Sequence, residues 1–145
     1  MNVAQALKKK ARLIKEINDK WLIIKNNNSI ISGNLKKFDI SNELGLIEQL
    51  TNELVELKTK IHLANAPVYS KIFLMSELKS MLKNVEGINT TEGIMDNGRY
   101  GTPSTTFYVA DMDEIAKRKY IKDLSDKIDS LQDELDYHNA TTQIQ

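Results

Sequence analysis

Ile40, Leu44, Ile47, Leu50, Leu54, Leu57, Ile61 and Ala64 recur three and four residues apart, with Glu and Lys among the residues between them. On an α-helix this spacing gathers the eight side chains into one stripe, whereas a strand of period two would scatter them over both faces. The pattern predicts a helix over 40–65, roughly 38 Å long at 1.5 Å per residue. Asp39 or Ser41 is placed to cap its start by accepting a backbone N–H, and Pro67 is expected to end it by forcing the preceding residue out of helical geometry. A seam of this kind has to be covered by a matching helix.

Three further segments supply candidates. Over 2–25, Leu7, Ala11, Ile14, Ile17, Trp21 and Ile24 follow helical spacing, and the run Asn26 to Gly33 carries stop signals, since Asn and Gly tolerate left-handed backbone. Over 69–85, Leu74, Leu78, Met81 and Val85 share a face that Met75 and Leu82 widen, and Gly87 closes the helix. Over 111–139, Ile121, Leu124, Ile128, Leu131, Leu135 and His138 rebuild a heptad seam, opened by Asp111 and Glu114 at capping-box spacing. Between the last two helices the helical period disappears. Residues 88–110 hold three glycines, Pro103 and the strand-type run Thr105 to Val109, so a β excursion is expected there, with Asn97-Gly98 suited to a hairpin turn. The expected fold is mainly α: an antiparallel, coiled-coil-like bundle of about four helices with a small β-hairpin before the last one.

The 145 residues suffice for one domain, expected to span 1–145. Charged residues are 28% and hydrophobic residues 41%, which suits long solvated helices and argues against disorder throughout. No cysteine is present, so disulfides and thiolate metal sites are excluded. The longest apolar runs, such as Trp21 to Ile24, fall far short of the roughly 20 residues of a membrane-spanning helix. Lys8-Lys9-Lys10 stand where a secretory signal would have its apolar core, and the expected location is cytoplasmic, or virion-associated for a phage protein.

Net charge is zero, but its distribution is uneven. Residues 1–38 carry nine Lys or Arg against Glu16 and Asp19, giving +7; residues 39–65 carry five acids against Lys58 and Lys60, giving −3; residues 111–145 carry nine acids against five bases, giving −4. The basic first helix therefore has acidic helices within the same chain to complement it.

Each chemical reading meets a plainer one. His62 and His138 each lie near the C-terminal end of a long helix, where imidazolium complements the helix dipole. Two distant histidines, even with Asp136, lack the paired spacing of a zinc site. Asp126, Asp129, Asp133, Glu134 and Asp136 read as the charged outer face of the last helix rather than as converging acid–base groups. No nucleophile elbow, phosphate loop, dinucleotide fingerprint or calcium loop occurs, and no catalytic residue, cofactor or metal is expected. Lys8, Lys9, Lys10, Arg12 and Lys15, with Tyr100, Phe107 and Tyr108 for stacking, would suit nucleic acid, and the same basic helix with Trp21 would suit an anionic membrane surface. Overall neutrality and the lack of a recognition motif leave both as lesser alternatives to a protein partner. Arg99, Tyr100 and Tyr108 on the hairpin are the candidate contact surface, because they depart from the bundle and are residue types common at interfaces.

Two helix ends, Lys60-Ile61-His62-Leu63-Ala64-Asn65 and Leu135-Asp136-Tyr137-His138-Asn139-Ala140-Thr141-Thr142, resemble the "I-N-x-T-N" and "I-Q-x-x-N-W-T-T" endings of a bacterial family of small helical proteins, some of which carry the label septicolysin-like. The opening Ala4 to Leu13 resembles that family's "A-x-A-L-x-x-R-A-x-L" start, and Phe107 to Asp113 its strand before the last helix; the order also agrees. The resemblance implies a helical fold with a β excursion, and its label implies cytolysis. The reading of the residues themselves points to a non-enzymatic structural or protein-interaction protein, a homo-oligomer or part of a larger assembly, bacterial or phage. Membrane activity of the cytolysin kind is the first alternative and nucleic-acid binding the second.

Overall fold

The computed structural model describes residues 1–96 and 105–145. Its elements are α1 (Val3–Asn27), α2 (Ile40–Asn65), a 3₁₀ turn (Ala66–Val68), α3 (Tyr69–Glu86), β1 (Gly93–Asp96), β2 (Thr105–Tyr108) and α4 (Glu114–Thr141). The molecule is therefore mainly helical, with a two-stranded antiparallel hairpin before the last helix. The chain groups into two compact units, one of residues 1–69 and 136–145 and the other of residues 70–135.

In the first unit α1 and α2 run antiparallel, as two ion pairs show: Lys9 meets Glu53, and further along α1 Lys20 meets the earlier Glu43. Ala6, Leu13, Leu57 and Ile61 form the buried cluster, with Leu7, Leu50, Leu54 and Ile144 against it. At roughly 1.5–3 kcal/mol for each large aliphatic side chain removed from water, such seams carry most of the pair's stability. On α2 the buried side chains Ile47, Leu57 and Ile61 lie on the expected stripe, while Leu44 is exposed. On α1 the buried stripe agrees with the expected one only in part, as at Ile24 and at the half-buried Leu7. Val3, Ala6, Leu13 and Ile24 face inward, whereas Ala11, Ile14 and Trp21 are exposed. Two apolar stripes run side by side on this helix, and sequence spacing alone blended them.

Three terminal details also depart from expectation. α1 starts with a capping box: the Asn2 side chain accepts from the Gln5 N–H at 2.8 Å, and the Gln5 side chain accepts from the Asn2 N–H at 3.0 Å. Asn28 at its far end is right-handed, and only Gly33 in that connection takes positive φ, so the Asn run supplies no left-handed cap. Asp39 caps α2 through the Asn42 N–H at 3.2 Å. Ala66, just before Pro67, keeps helical dihedrals of φ −49° and ψ −42°. Proline sits in the first turn of the 3₁₀ segment, where its missing N–H costs nothing, and the chain passes directly into α3.

The C-terminal residues close this unit. Val3 N–H donates to the Thr142 carbonyl and Ile144 N–H to the Met1 carbonyl, both at 3.0 Å, while the Asn2 amide group donates to the Ala140 carbonyl at 3.0 Å. Asn2 and Gln143 thereby form an isolated antiparallel bridge.

In the second unit α3 and α4 are likewise antiparallel. Lys71 pairs with Glu134 at one end, and at the other Lys117 Nζ donates to the carbonyls of Glu86 and Ile88 at 2.8 and 2.9 Å. That lysine satisfies carbonyls that the end of α3 would otherwise leave open. Leu78, Val85 and Leu124 form the buried cluster, with Leu82, Ile121, Ile128 and Leu131 packed against it. The α4 seam agrees with its heptad. On α3 the inward face is shifted: Met75, Leu78 and Val85 are buried, and Leu74 and Met81 are exposed. α4 begins later than expected, because Asp113, not Asp111, caps it by accepting from the Ala116 N–H at 2.7 Å.

The hairpin pairs Gly93 with Tyr108, Ile94 with Phe107, Met95 with Thr106 and Asp96 with Thr105. Gly93 has φ +88°, a value that glycine alone adopts without strain. The Asn97-Gly98 turn lies outside the described residues.

Candidate interaction surfaces

Register and strand alternation place Ile94 and its cross-strand partner Phe107 on one face of the hairpin, and Tyr108 on the other. Ile94 and Phe107 are 70% and 69% exposed, Val109 more so, and Tyr108 is also exposed. A pair of strands is marginally stable in water without a packed face, and the apolar cross-strand pair Ile94 and Phe107 lies open. Of the residues proposed from sequence for contact, Tyr108 is exposed here, while Arg99 and Tyr100 lie outside the described residues. Ile94 is not among the residues that the sequence suggests for contact, and Phe107 is suggested only for base stacking. Strand alternation separates Phe107 from Tyr108, but only the register brings Ile94 to Phe107.

The exposed stripe of α1 is the second surface. Asn18, Trp21, Leu22 and Lys25 line a shallow hollow on it. The basic run next to it is partly engaged: Lys9 with Glu53, Lys15 with Asp19 and Lys20 with Glu43. The Asp19 hydrogen bond, aided by that carboxylate's charge, raises the Lys15 ammonium above its ordinary value. The basic helix thus has acidic neighbours within its own unit.

Among the described residues no three of His, Asp or Glu converge where they could hold a metal ion. His62 lies in the last turn of α2, its ring against Tyr69, whose hydroxyl bonds to Nδ1 and also donates to the His62 carbonyl at 2.8 Å. His138 lies in the last turn of α4, with Nδ1 3.1 Å from the Thr142 hydroxyl. Each histidine thus sits at a helix C-terminus with a local partner. The α4 carboxylates are spread along an exposed face, with Asp126 held by Lys122 at 2.7 Å and Glu134 by Lys71. The Thr90 hydroxyl donates to Glu114 at 2.6 Å and Arg118 lies 3.1 Å away, so this carboxyl is held below the usual carboxylate range. These contacts tie the loop after α3 to the start of α4.

No described helix is long and apolar enough to cross a membrane. Comparisons with family models, curated proteins and solved structures return no match.

Proposed function

We propose that this chain is a non-enzymatic assembly protein whose partners are proteins, in the first place further copies of itself. One observation carries the reading. Each helix commits one stripe to its neighbour, and large apolar side chains stay exposed on α1, on α3 and on the hairpin. Surface of this kind and extent is what subunits bury when they associate. A cytoplasmic or virion setting suits the reading equally, and no catalytic residue, cofactor or metal is needed for it.

A second reading is favoured by Trp21 and Leu22, exposed apolar side chains on a strongly basic helix, a combination that can lie on an anionic membrane. The resemblance to septicolysin-like proteins points the same way. Light scattering and vesicle leakage separate the two. The assembly reading expects a defined oligomer, heavier than 16.5 kDa, and no dye release from anionic vesicles. A monomer at every concentration, or release of dye, overturns it.

A further inference from the structure

The connection from α1 to α2 stands open to water at one end of the first unit. It lies at the opposite end of the 26-residue α2 from Tyr69, where the chain leaves that unit. The Asn34 N–H donates to the Ile31 carbonyl at 3.0 Å, closing a tight turn in which Gly33 takes φ +88°. Nothing packs behind that turn: a Cβ placed on Gly33 would meet no atom within 4 Å. Ile31 and Leu35 on either side of it are 75% and 84% exposed, and Ile30 is exposed as well. Trp21 and Leu22 add exposed apolar surface within two turns of the end of α1.

Charge at this end is one-sided. Residues 20–38 carry Lys20, Lys25, Lys36 and Lys37 and no Asp or Glu, giving +4. Lys20 is held by Glu43, whereas Lys25, Lys36 and Lys37 are exposed and join no ion pair among the described residues. The carboxylates that border the segment are engaged, Asp19 with Lys15, Glu43 with Lys20, and Asp39 as the cap of α2. The acidic neighbours that answer Lys9, Lys15 and Lys20 thus have no counterpart for these three lysines.

We infer that this end of the first unit attaches to an anionic membrane surface, with Ile30, Ile31 and Leu35 entering the headgroup boundary and Lys25, Lys36 and Lys37 meeting the anionic lipid groups. The apolar side chains project from a turn that carries no helix or strand face, so a rigid partner would need a pocket shaped to them, whereas lipid headgroups rearrange around them. The flanking lysines select anionic over neutral lipid, and their long stems let the ammonium groups stay in water while the aliphatic side chains go deeper. Nucleic acid would use the same lysines and leave the three aliphatic side chains in water. The attachment goes beyond the assembly reading and does not depend on it. It is also not cytolysis, because side chains on one turn reach only the near leaflet, roughly 5–10 Å deep.

Co-sedimentation of the full chain with vesicles tests this. Binding should be far stronger to mixed phosphatidylserine and phosphatidylcholine than to phosphatidylcholine alone, should weaken as salt is raised, and should leave an entrapped dye inside. Ile31→Asp with Leu35→Asp should reduce binding by about tenfold or more, and so should Lys36→Glu with Lys37→Glu. Helicity by circular dichroism should be kept in both, since all four side chains are already exposed. Leu63→Asp, at an exposed leucine near the opposite end of α2, should bind as the parent chain does. Equal binding to both kinds of vesicle, binding that survives both double substitutions, or release of the dye overturns the attachment. So does a chain that ignores vesicles and binds a single-stranded oligonucleotide through Lys36 and Lys37. Sedimentation without vesicles reads the assembly separately: failure to bind vesicles leaves that reading standing, and a monomer that binds them overturns assembly alone.

Discussion

Lys20 Nζ and Glu43 Oε2 lie 3.1 Å apart, joining α1 to the start of α2, and their side chains are only 19% and 15% exposed. Lys9–Glu53, Lys15–Asp19, Lys71–Glu134, Arg118–Glu114 and Lys122–Asp126 are all far more open to solvent. Removing one partner therefore leaves a largely covered charge with no counterpart. Lys20→Ala should lower unfolding free energy by about 1–3 kcal/mol, whereas Lys15→Ala, at an open i,i+4 pair, should cost far less. A double-mutant cycle in urea should find that Lys20→Met with Glu43→Gln costs less than the two single changes added. Additive costs would mean that the two side chains do not act together.

Asn2 does two jobs: it caps α1 and donates to the Ala140 carbonyl. Asn2→Ala should cost about 1–2 kcal/mol, more than an ordinary cap alone, because the clasp of the chain's two ends is loosened with it. Asn2→Asp keeps the cap acceptor and lacks the amide donor, so its cost isolates the clasp. Hydrogen exchange supplies the local readout. Under Asn2→Asp the amides of Val3 and Ile144 should exchange faster, since they donate to Thr142 and Met1 across that junction, while the Gln5 amide stays protected.

Helix existence was legible because it rests on apolar spacing, which the sequence displays directly. On α4 and most of α2 one stripe stands alone among charged residues, so the buried positions followed as well. α1 and α3 carry apolar residues on more than one face. There Leu13 and Met75 compete with Ile14 and Leu74, and only the neighbouring helix decides which side turns inward. Caps are partly legible: Asp39 is one of two candidates that the sequence offers for α2, with Ser41, whereas the α4 cap falls on Asp113 rather than Asp111 because several acids precede that helix. The candidate contact surface was the least legible. Exposure of Ile94, Phe107 and Trp21 is a property of what fails to cover them, and no local pattern encodes that.

Glu114 should titrate below an ordinary glutamate, chiefly through the Thr90 hydroxyl and then through Arg118. A depressed folded-state value means that whatever stability this group contributes is present above the unfolded value and disappears as pH falls through the lowered one. Carbon-detected NMR of the full chain should show the depressed midpoint, with Thr90→Val moving it upward. Unfolding of Thr90→Val should then depend less on pH in the acidic range than that of the parent protein. A midpoint insensitive to Thr90 would mean that the hydroxyl is not bonded to Glu114 in solution.

The contrast between Leu124 and Phe73 tests the assignment of faces in the second unit. Leu124 is 3% exposed and belongs to the cluster with Leu78 and Val85, while Phe73 is exposed on α3. Leu124→Ala removes atoms from a filled interior and leaves a cavity, so it should cost about 2–4 kcal/mol. Phe73→Ala removes more apolar surface, yet from a place already open to water, and should change stability by no more than about 0.5 kcal/mol. Were burial set by residue size alone, the order would reverse. Urea denaturation followed by circular dichroism at a concentration low enough to keep the chain monomeric should show the large shift for Leu124→Ala and almost none for Phe73→Ala. The same comparison at high concentration asks a separate question: a loss at Phe73 that grows with concentration would place that side chain in a contact between copies.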